Sequence, residues 1–237
     1  MREPIYIKAA SQIGGGLPDP DFRQFLSPIE ARRMSMMMKR AIATSRTALQ
    51  QAGIEHPDAI ITGTWFGSVS NTEALLLSLT GVSDQPMKPT HFMQSTHNTV
   101  GSLIGIQTGS HGYNATYSHG KTSFEAALFD AVTLMDLGEA DNALVGLFDE
   151  MTPRFAALLA KGGILCPDIA ASFVLSHDPE HALCRLDNID TNAGAALADR
   201  VLDAPFGYYE AVRTLAGKEC GSVVVTNENY RVSLCGL

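Results

Sequence analysis

Apolar residues along this chain fall into short continuous runs and helical stripes. Ser27-Pro28-Ile29-Glu30 joins a capping serine, a proline at the first helical position and a glutamate three residues after the cap, the combination that starts a helix. Met34, Met38, Ala41, Ser45, Leu49 and Ala52 then recur at steps of three or four, and Gly53 offers a left-handed stop. One long amphipathic helix is predicted to end there, and the pattern allows an interruption near Met34. Ala59-Ile60-Ile61-Thr62-Gly63 is an apolar run bounded by Pro57 and Gly63, which predicts a buried strand that delivers the chain into a glycine-bearing loop, 63–70. Asn71 is placed to cap a helix over 72–79, and a proline-bearing loop, 81–89, follows.

A second helix is expected from about Thr96 to Gln107, and Gly112–Tyr117 is rich in strand-favouring residues between glycine and Ser-His-Gly. Phe124, Ala127, Leu128, Ala131, Leu134 and Met135 form the clearest helical stripe in the chain, and Gly138 stops it. Ala143–Phe148 then reads as a strand buried on both faces. Beyond it the pattern predicts a helix over 155–159, strands near 170–175 and 183–189, a helix over 208–215, and two closing strands, 222–226 and 230–234. Strands that alternate with helices predict an α/β fold, a mainly parallel or mixed central sheet flanked by helices.

Composition narrows the function. The 237 residues carry 25 acidic against 17 basic side chains, a formal charge of −8, with no block of five or six basic residues. Nucleic acid is therefore a poor candidate partner, because that binding rests on clustered Lys and Arg. No stretch has 18 consecutive apolar residues and the N-terminus lacks a signal-peptide pattern, so the expectation is a single cytoplasmic domain without a membrane span. Cys166, Cys184, Cys220 and Cys235 contain no CxxC pair, which predicts reduced structural thiols rather than a disulfide framework or metal site. No metal or cofactor is expected.

Chemistry concentrates in Tyr117-Ser118-His119-Gly120-Lys121-Thr122-Ser123, between a buried strand and a long helix. A helix N-terminus there favours anions and oxyanions. Ser118 and His119 are candidates for a nucleophile and its base, but sequence neighbours diverge on a strand or turn, so a capping role for Ser118, Thr122 or Ser123 fits better. His97 and His111 lack a second ligand at metal-binding spacing. Asp149-Glu150 puts two carboxylates at a strand's C-terminal end, where the plainer role is a charge pair at the start of a helix near Pro153.

The order of these pieces resembles the β-ketoacyl synthases of fatty acid and polyketide assembly, which have the thiolase-like fold. Arg32-Arg33-Met34-Ser35 and the helix to Ala52-Gly53 resemble the family's helix ending in Ala-Gly. Ile60–Gly67 resembles its strand and Gly-Thr-Gly-type loop, followed by Glu73. Gln94-Ser95-Thr96 with Asn98, then Gly109-Ser110-His111-Gly112, look like its Pro-Ser-Thr-x-x-Asn and Gly-Leu-x-Gly landmarks. Gly138–Gly146 looks like the Gly-Asp-Ala-Asp strand that follows the nucleophile helix.

Two departures stand out. Active synthases carry the acyl chain on a cysteine at the start of that helix. Counting from Asn98 forward or from Gly138 back brings this position to Lys121, and no cysteine occurs before Cys166. A lysine there cannot replace a thiolate without a radically lowered pKa. Active synthases also continue into a comparable second half with two catalytic histidines. Here 1–164 resembles the first half and 165–237 a shortened remnant of the second, with His177 and His181 in no matching motif.

The resemblance therefore implies a chain length factor, a non-catalytic subunit of a type II polyketide system of the aryl polyene type. Such a subunit pairs with an active ketosynthase and shapes its acyl pocket. It implies an interface along Gly112, Tyr113, Asn114, Ala115, Thr116 and Tyr117 and the helix over 97–107. Met93, Thr96 and Phe124 are implied for the pocket wall, and an acyl carrier protein is a further possible partner. A lysine at position 121 is expected to pair with Glu125 or Glu150. Two other functions stay open: an acyl hydrolase or acyltransferase using Ser118 or Ser123 with His119 or His97, and a homodimeric acyl-binding protein.

Overall fold

The computed structural model describes residues 3–14, 16–81, 87–165, 168–191, 200–203, 207–218, 220–227 and 229–237. In chain order the first elements are β1 (Ile5–Gly14), α1 (Pro28–Ala31), α2 (Met36–Ala52), β2 (Ala59–Gly63), α3 (Val69–Leu79), α4 (Pro89–Ser95) and α5 (Thr99–Thr108). They continue with β3 (Tyr113–Tyr117), α6 (Ser123–Asp136), β4 (Asn142–Asp149), α7 (Pro153–Lys161), β5 (Ile169–Ser176) and β6 (Cys184–Asp190). Last come β7 (Arg200–Asp203), α8 (Gly207–Leu215), β8 (Ser222–Thr226) and β9 (Arg231–Cys235).

The described strands make one nine-stranded mixed sheet in the order β3-β2-β4-β5-β1-β6-β9-β8-β7. β3, β2 and β4 run parallel, as do β7 and β8, and the remaining pairs are antiparallel. Each face carries its own apolar cluster. On one, Phe124, Leu128 and Met135 of α6 and Val212 and Leu215 of α8 pack on Ile61, Val145 and Phe173. On the other, Met38, Ile42 and Leu49 of α2 and Ile104 of α5 pack on Ile60, Leu144 and Val174. Strands covered on both faces read as continuous apolar runs, which is why β2 and β4 were visible in the sequence.

Local rules explain the helix ends. Ser27 and Glu30 form a reciprocal capping box on α1, and Ser35 caps α2. The break between them, 32–35, is the interruption near Met34. Gly53 ends α2 in the left-handed region at φ 70°. Arg40 fastens the start of α2 by ion pairs to Asp19 (2.6 Å) and Asp168 (2.9 Å).

Several expected boundaries move. β1 lies between β5 and β6 in the middle of the sheet, where the sequence pattern had suggested no strand. Pro89 starts α4, a short helix that the sequence pattern had not suggested, and the helix expected over 96–107 is α5, which begins at Thr99. α3 starts at Val69. Asn71, read as its cap, is buried inside the first turn and donates from Nδ2 to Ser68 Oγ at 2.8 Å. Part of the loop 81–89 and Cys166 lie outside the described residues. Of the other cysteines, Cys184 is buried and burial pushes its thiol up to about 12, which suits an inert core residue. No described helix is long and apolar enough to cross a membrane.

Candidate functional site

β2, β4 and β3 point their C-terminal ends at one place, where the loop after β2, the turn before α6 and the start of α7 meet. β2 and α6 approach so closely that a Cβ on Gly63 would lie 2.5 Å from the Ser123 carbonyl oxygen and 2.7 Å from Phe124 Cα. Only glycine fits there, and this contact fixes the loop against the helix start.

Asp149, at the end of β4, holds that loop. Its Oδ1 accepts from the backbone N–H of Trp65 and Phe66 and from the Thr64 hydroxyl, each at 2.9 Å, and its Oδ2 accepts from Trp65 N–H at 3.0 Å. Burial pushes the Asp149 carboxyl above its ordinary range, while these donors pull it down. Glu150 accepts from Ser70 N–H at 2.9 Å, and Glu73 from the Thr152 hydroxyl at 2.8 Å. Asp149 and Glu150 thus serve the loop and α3 rather than forming a charge pair for α7, whose cap is Thr152. The signal available in the sequence was a carboxylate pair ending an apolar strand; its partners lie about eighty residues earlier and could not be inferred.

The turn before α6 carries no assembled nucleophile. Ser123 Oγ accepts from His119 N–H at 2.9 Å and faces the carbonyl oxygens of Gly120 (2.7 Å) and Thr64 (2.8 Å), so its proton is committed to backbone. Neither Ser123 nor Thr122 caps α6 through its side chain; Thr122 donates to the His119 carbonyl at 3.0 Å. Ser118 and His119 are exposed, and no hydrogen bond joins them among the described residues. The His119 ring stands edge-on to Tyr117, with centroids 5.6 Å apart. His97 is exposed beside Gly67, whose Cβ would meet the imidazole at 3.2 Å. Among the described residues no hydrogen bond joins a serine hydroxyl to the ring of either histidine.

Lys121 is exposed in the turn 120–122 and carries its ammonium over the Trp65 ring, 5.8 Å from the centroid. It pairs with neither expected carboxylate: Glu125 is turned into the core toward Tyr208, and Glu150 is taken by Ser70. Trp65 stacks on Phe66 at 4.7 Å and Phe66 meets Phe155 of α7 edge-on at 5.0 Å. Trp65, Phe66 and Phe155 thus form a row of aromatic rings with the Lys121 cation at its end.

The other residues separate into interior and surface. Phe124 is 2% exposed and packs on Tyr208 (4.7 Å) and Phe173 (5.3 Å). Met93 is 65% exposed on α4, and Thr96 is exposed, its hydroxyl 2.7 Å from that of Thr99. Tyr113–Tyr117 is the edge strand β3, paired on one side to β2 among the described residues. Asn114 and Thr116 face α5 and β2 through the Gly101 carbonyl (3.0 Å) and the Thr62 hydroxyl (2.8 Å). Gly112 and His111 line an open groove of about 840 Å³ with His56, Asp58 and Glu139, at the opposite end of the parallel strands. Among the described residues no three metal-ligating side chains converge.

A large mixed sheet flanked by helices on both faces is the thiolase-like architecture of ketosynthase-type proteins. The model of the β-ketoacyl synthase N-terminal domain matches residues 9–203, and the chain belongs to that family. No curated protein matches the chain in sequence. Solved structures match it throughout. One is a ketosynthase, ApeO, in complex with its chain length factor, ApeC, from Xenorhabdus doucetiae (18% identity, TM-score 0.70, covering 98% of each chain). Another is AntDE:AntF, a type II polyketide synthase acyl-carrier protein in complex with its ketosynthase (14%, TM-score 0.76, 100% of each chain). A third is the ishigamide ketosynthase/chain length factor (14%, TM-score 0.72, 99% of each chain).

Proposed function

We propose that this chain is a non-catalytic, chain-length-factor-like subunit that binds an active ketosynthase along β3 and the helices beside it, and contributes to the wall of its acyl pocket. The observation that carries this reading is the position expected for the nucleophile. Lys121 occupies it, lying over Trp65, and Ser123, two residues on, is tied to backbone carbonyls. An ammonium cannot attack a thioester, so the site supplies no acyl carrier of its own.

The flank of the molecule supports the binding half of the role. Leu76 and Leu79 of α3, Phe92 and Met93 of α4, Leu158 of α7 and Leu165 are all exposed, and α7 buries none of its residues. α3 and α4 pack on each other, α4 meets α5, and α5 leans on β3, so the α3 and α4 side chains lie on the side of the open edge of the sheet. Exposed apolar surface on that scale marks an interface. That the similar structures are ketosynthase complexes with chain length factors or a carrier protein favours a ketosynthase as the occupant.

Co-expression with a type II polyketide ketosynthase tests the proposal. A one-to-one complex is expected, in which acyl transfer is lost when the partner's nucleophile is removed. A homodimer indifferent to that ketosynthase, or thioester hydrolysis by the chain alone that Ser118→Ala abolishes, contradicts it.

A further inference from the structure

One turn beyond Lys121, α6 carries a second ionisable side chain that the proposed role leaves unused. Glu125 is 0% exposed. Its Oε1 accepts the Tyr208 hydroxyl at 2.8 Å, and Tyr208, at the start of α8, is itself buried against Phe124. Its Oε2 has no hydrogen-bond partner among the described residues, and neither has Nδ2 of Asn227, in the turn after β8. Asn227 is fixed there because its Oδ1 accepts from the N–H of Asn229 (2.9 Å) and Tyr230 (2.8 Å).

The groups that face Glu125 from neighbouring elements are Tyr208 of α8 and Asn227 of the β8–β9 turn; no cation and no second acid perturbs it among the described residues. On its own helix Lys121 turns away over Trp65, and Asp130 lies farther along, beside Tyr113 and Tyr117. Buried carboxylates are ordinarily paired with a cation or held by several donors. Here one hydroxyl, that of Tyr208, accounts for the carboxylate's hydrogen bond at Oε1, beside the Phe124–Tyr208 ring contact that packs α6 on α8.

We propose that Glu125 is a proton-controlled clasp: with its carboxyl neutral it fastens the first turn of α6 to α8 and the β8–β9 turn, and its ionisation loosens that C-terminal segment. The clasp is a property of the chain itself and does not depend on a ketosynthase partner. Burial raises the Glu125 carboxyl above its ordinary 4.5, against the opposing hydrogen bonds. A folded-state pKa above the unfolded one places the stabilisation at low pH. It is complete below the unfolded value and is lost as pH rises through the folded value.

Hydrogen exchange of the full chain at a series of pH values rising from the ordinary carboxyl value of 4.5, corrected for intrinsic base catalysis, reads the clasp directly. In the wild type, protection of α8 and β8 is expected to fall about tenfold more than that of β4 for each pH unit crossed inside the titration. Glu125→Gln is expected to keep Tyr208 bonded and to abolish the difference. Equal pH dependence in wild type and Glu125→Gln overturns the proposal. Should the variant not fold, ¹³C titration of the wild-type carboxyl decides: a value at or below the ordinary one overturns the clasp, and a value well above it sustains it.

Discussion

The start of α6 and the flank formed by β3, α4 and α7 treat their side chains in opposite ways. At the start of α6 polar groups are turned inward: Asp149 gathers three donors of the loop after β2, Ser123 answers backbone carbonyls, and Glu125 is enclosed with Tyr208. Along the flank, Phe92, Met93 and Leu158 face outward with nothing of this chain to cover them among the described residues. The contrast teaches that the polar groups at the start of α6 are committed to holding the chain together, while apolar side chains of α4 and α7 are kept on the surface.

The comparison breaks first at Asp149. Asp149→Ala strands buried N–H groups of Trp65 and Phe66 and the Thr64 hydroxyl, each costing about 1–3 kcal/mol, so a loss of about 3 kcal/mol or more is expected in urea denaturation. A change within about 0.5 kcal/mol would mean that the loop is held by other contacts.

The outward flank should behave in the reverse sense. Phe92→Asp with Met93→Asp is expected to weaken ketosynthase binding by at least about tenfold, about 1.4 kcal/mol. The melting temperature of the isolated chain should not fall. A lower melting temperature would show these residues to be core rather than interface. Lys121→Ala sharpens the comparison from the chemical side: an exposed cation–aromatic contact is worth about 1 kcal/mol or less, and neither folding nor partner binding should change beyond that. The smallest effect concerns Glu30. Hydrogen bonds from Ser27, and then from Gln107, hold its carboxyl near about 2, below the ordinary 4.5. A depressed folded-state pKa gives stability that is present above the unfolded value and lost as pH falls through the folded one. Protection from exchange at the start of α1, corrected for the intrinsic rate, should therefore fall on acidification from about pH 4.5 towards about pH 2, and Glu30→Gln should flatten that fall.

How far the sequence revealed this molecule depended on the range of the forces involved. α6 was legible because its apolar stripe and Gly138 stop are local, and β2 and β4 because strands covered on both faces are continuously apolar. β1 was missed: Lys8 and Gln12 interrupt its apolar residues, and its place at the centre of the sheet is set by antiparallel partners from 169–176 and 184–186. α4 was missed because its apolar residues are exposed and carry no buried stripe. At the site, counting placed Lys121 in the turn before α6, but its partner was not predictable. Glu125 and Glu150 were the sequence-local choices, and each is claimed by a group far along the chain, Tyr208 and Ser70. Asp149 was noticed and given the wrong role for the same reason.

The central claim is that this family member acts by pairing and not by acyl transfer. Native mass spectrometry of the chain co-expressed with a type II polyketide ketosynthase, followed by an elongation assay on the same sample, tests it most directly. The account predicts a one-to-one heterodimer that extends an acyl chain, inactive when the partner's nucleophile is replaced and unaffected by Lys121→Ala. A chain that remains a homodimer, or that elongates or hydrolyses acyl thioesters without any partner, would contradict it.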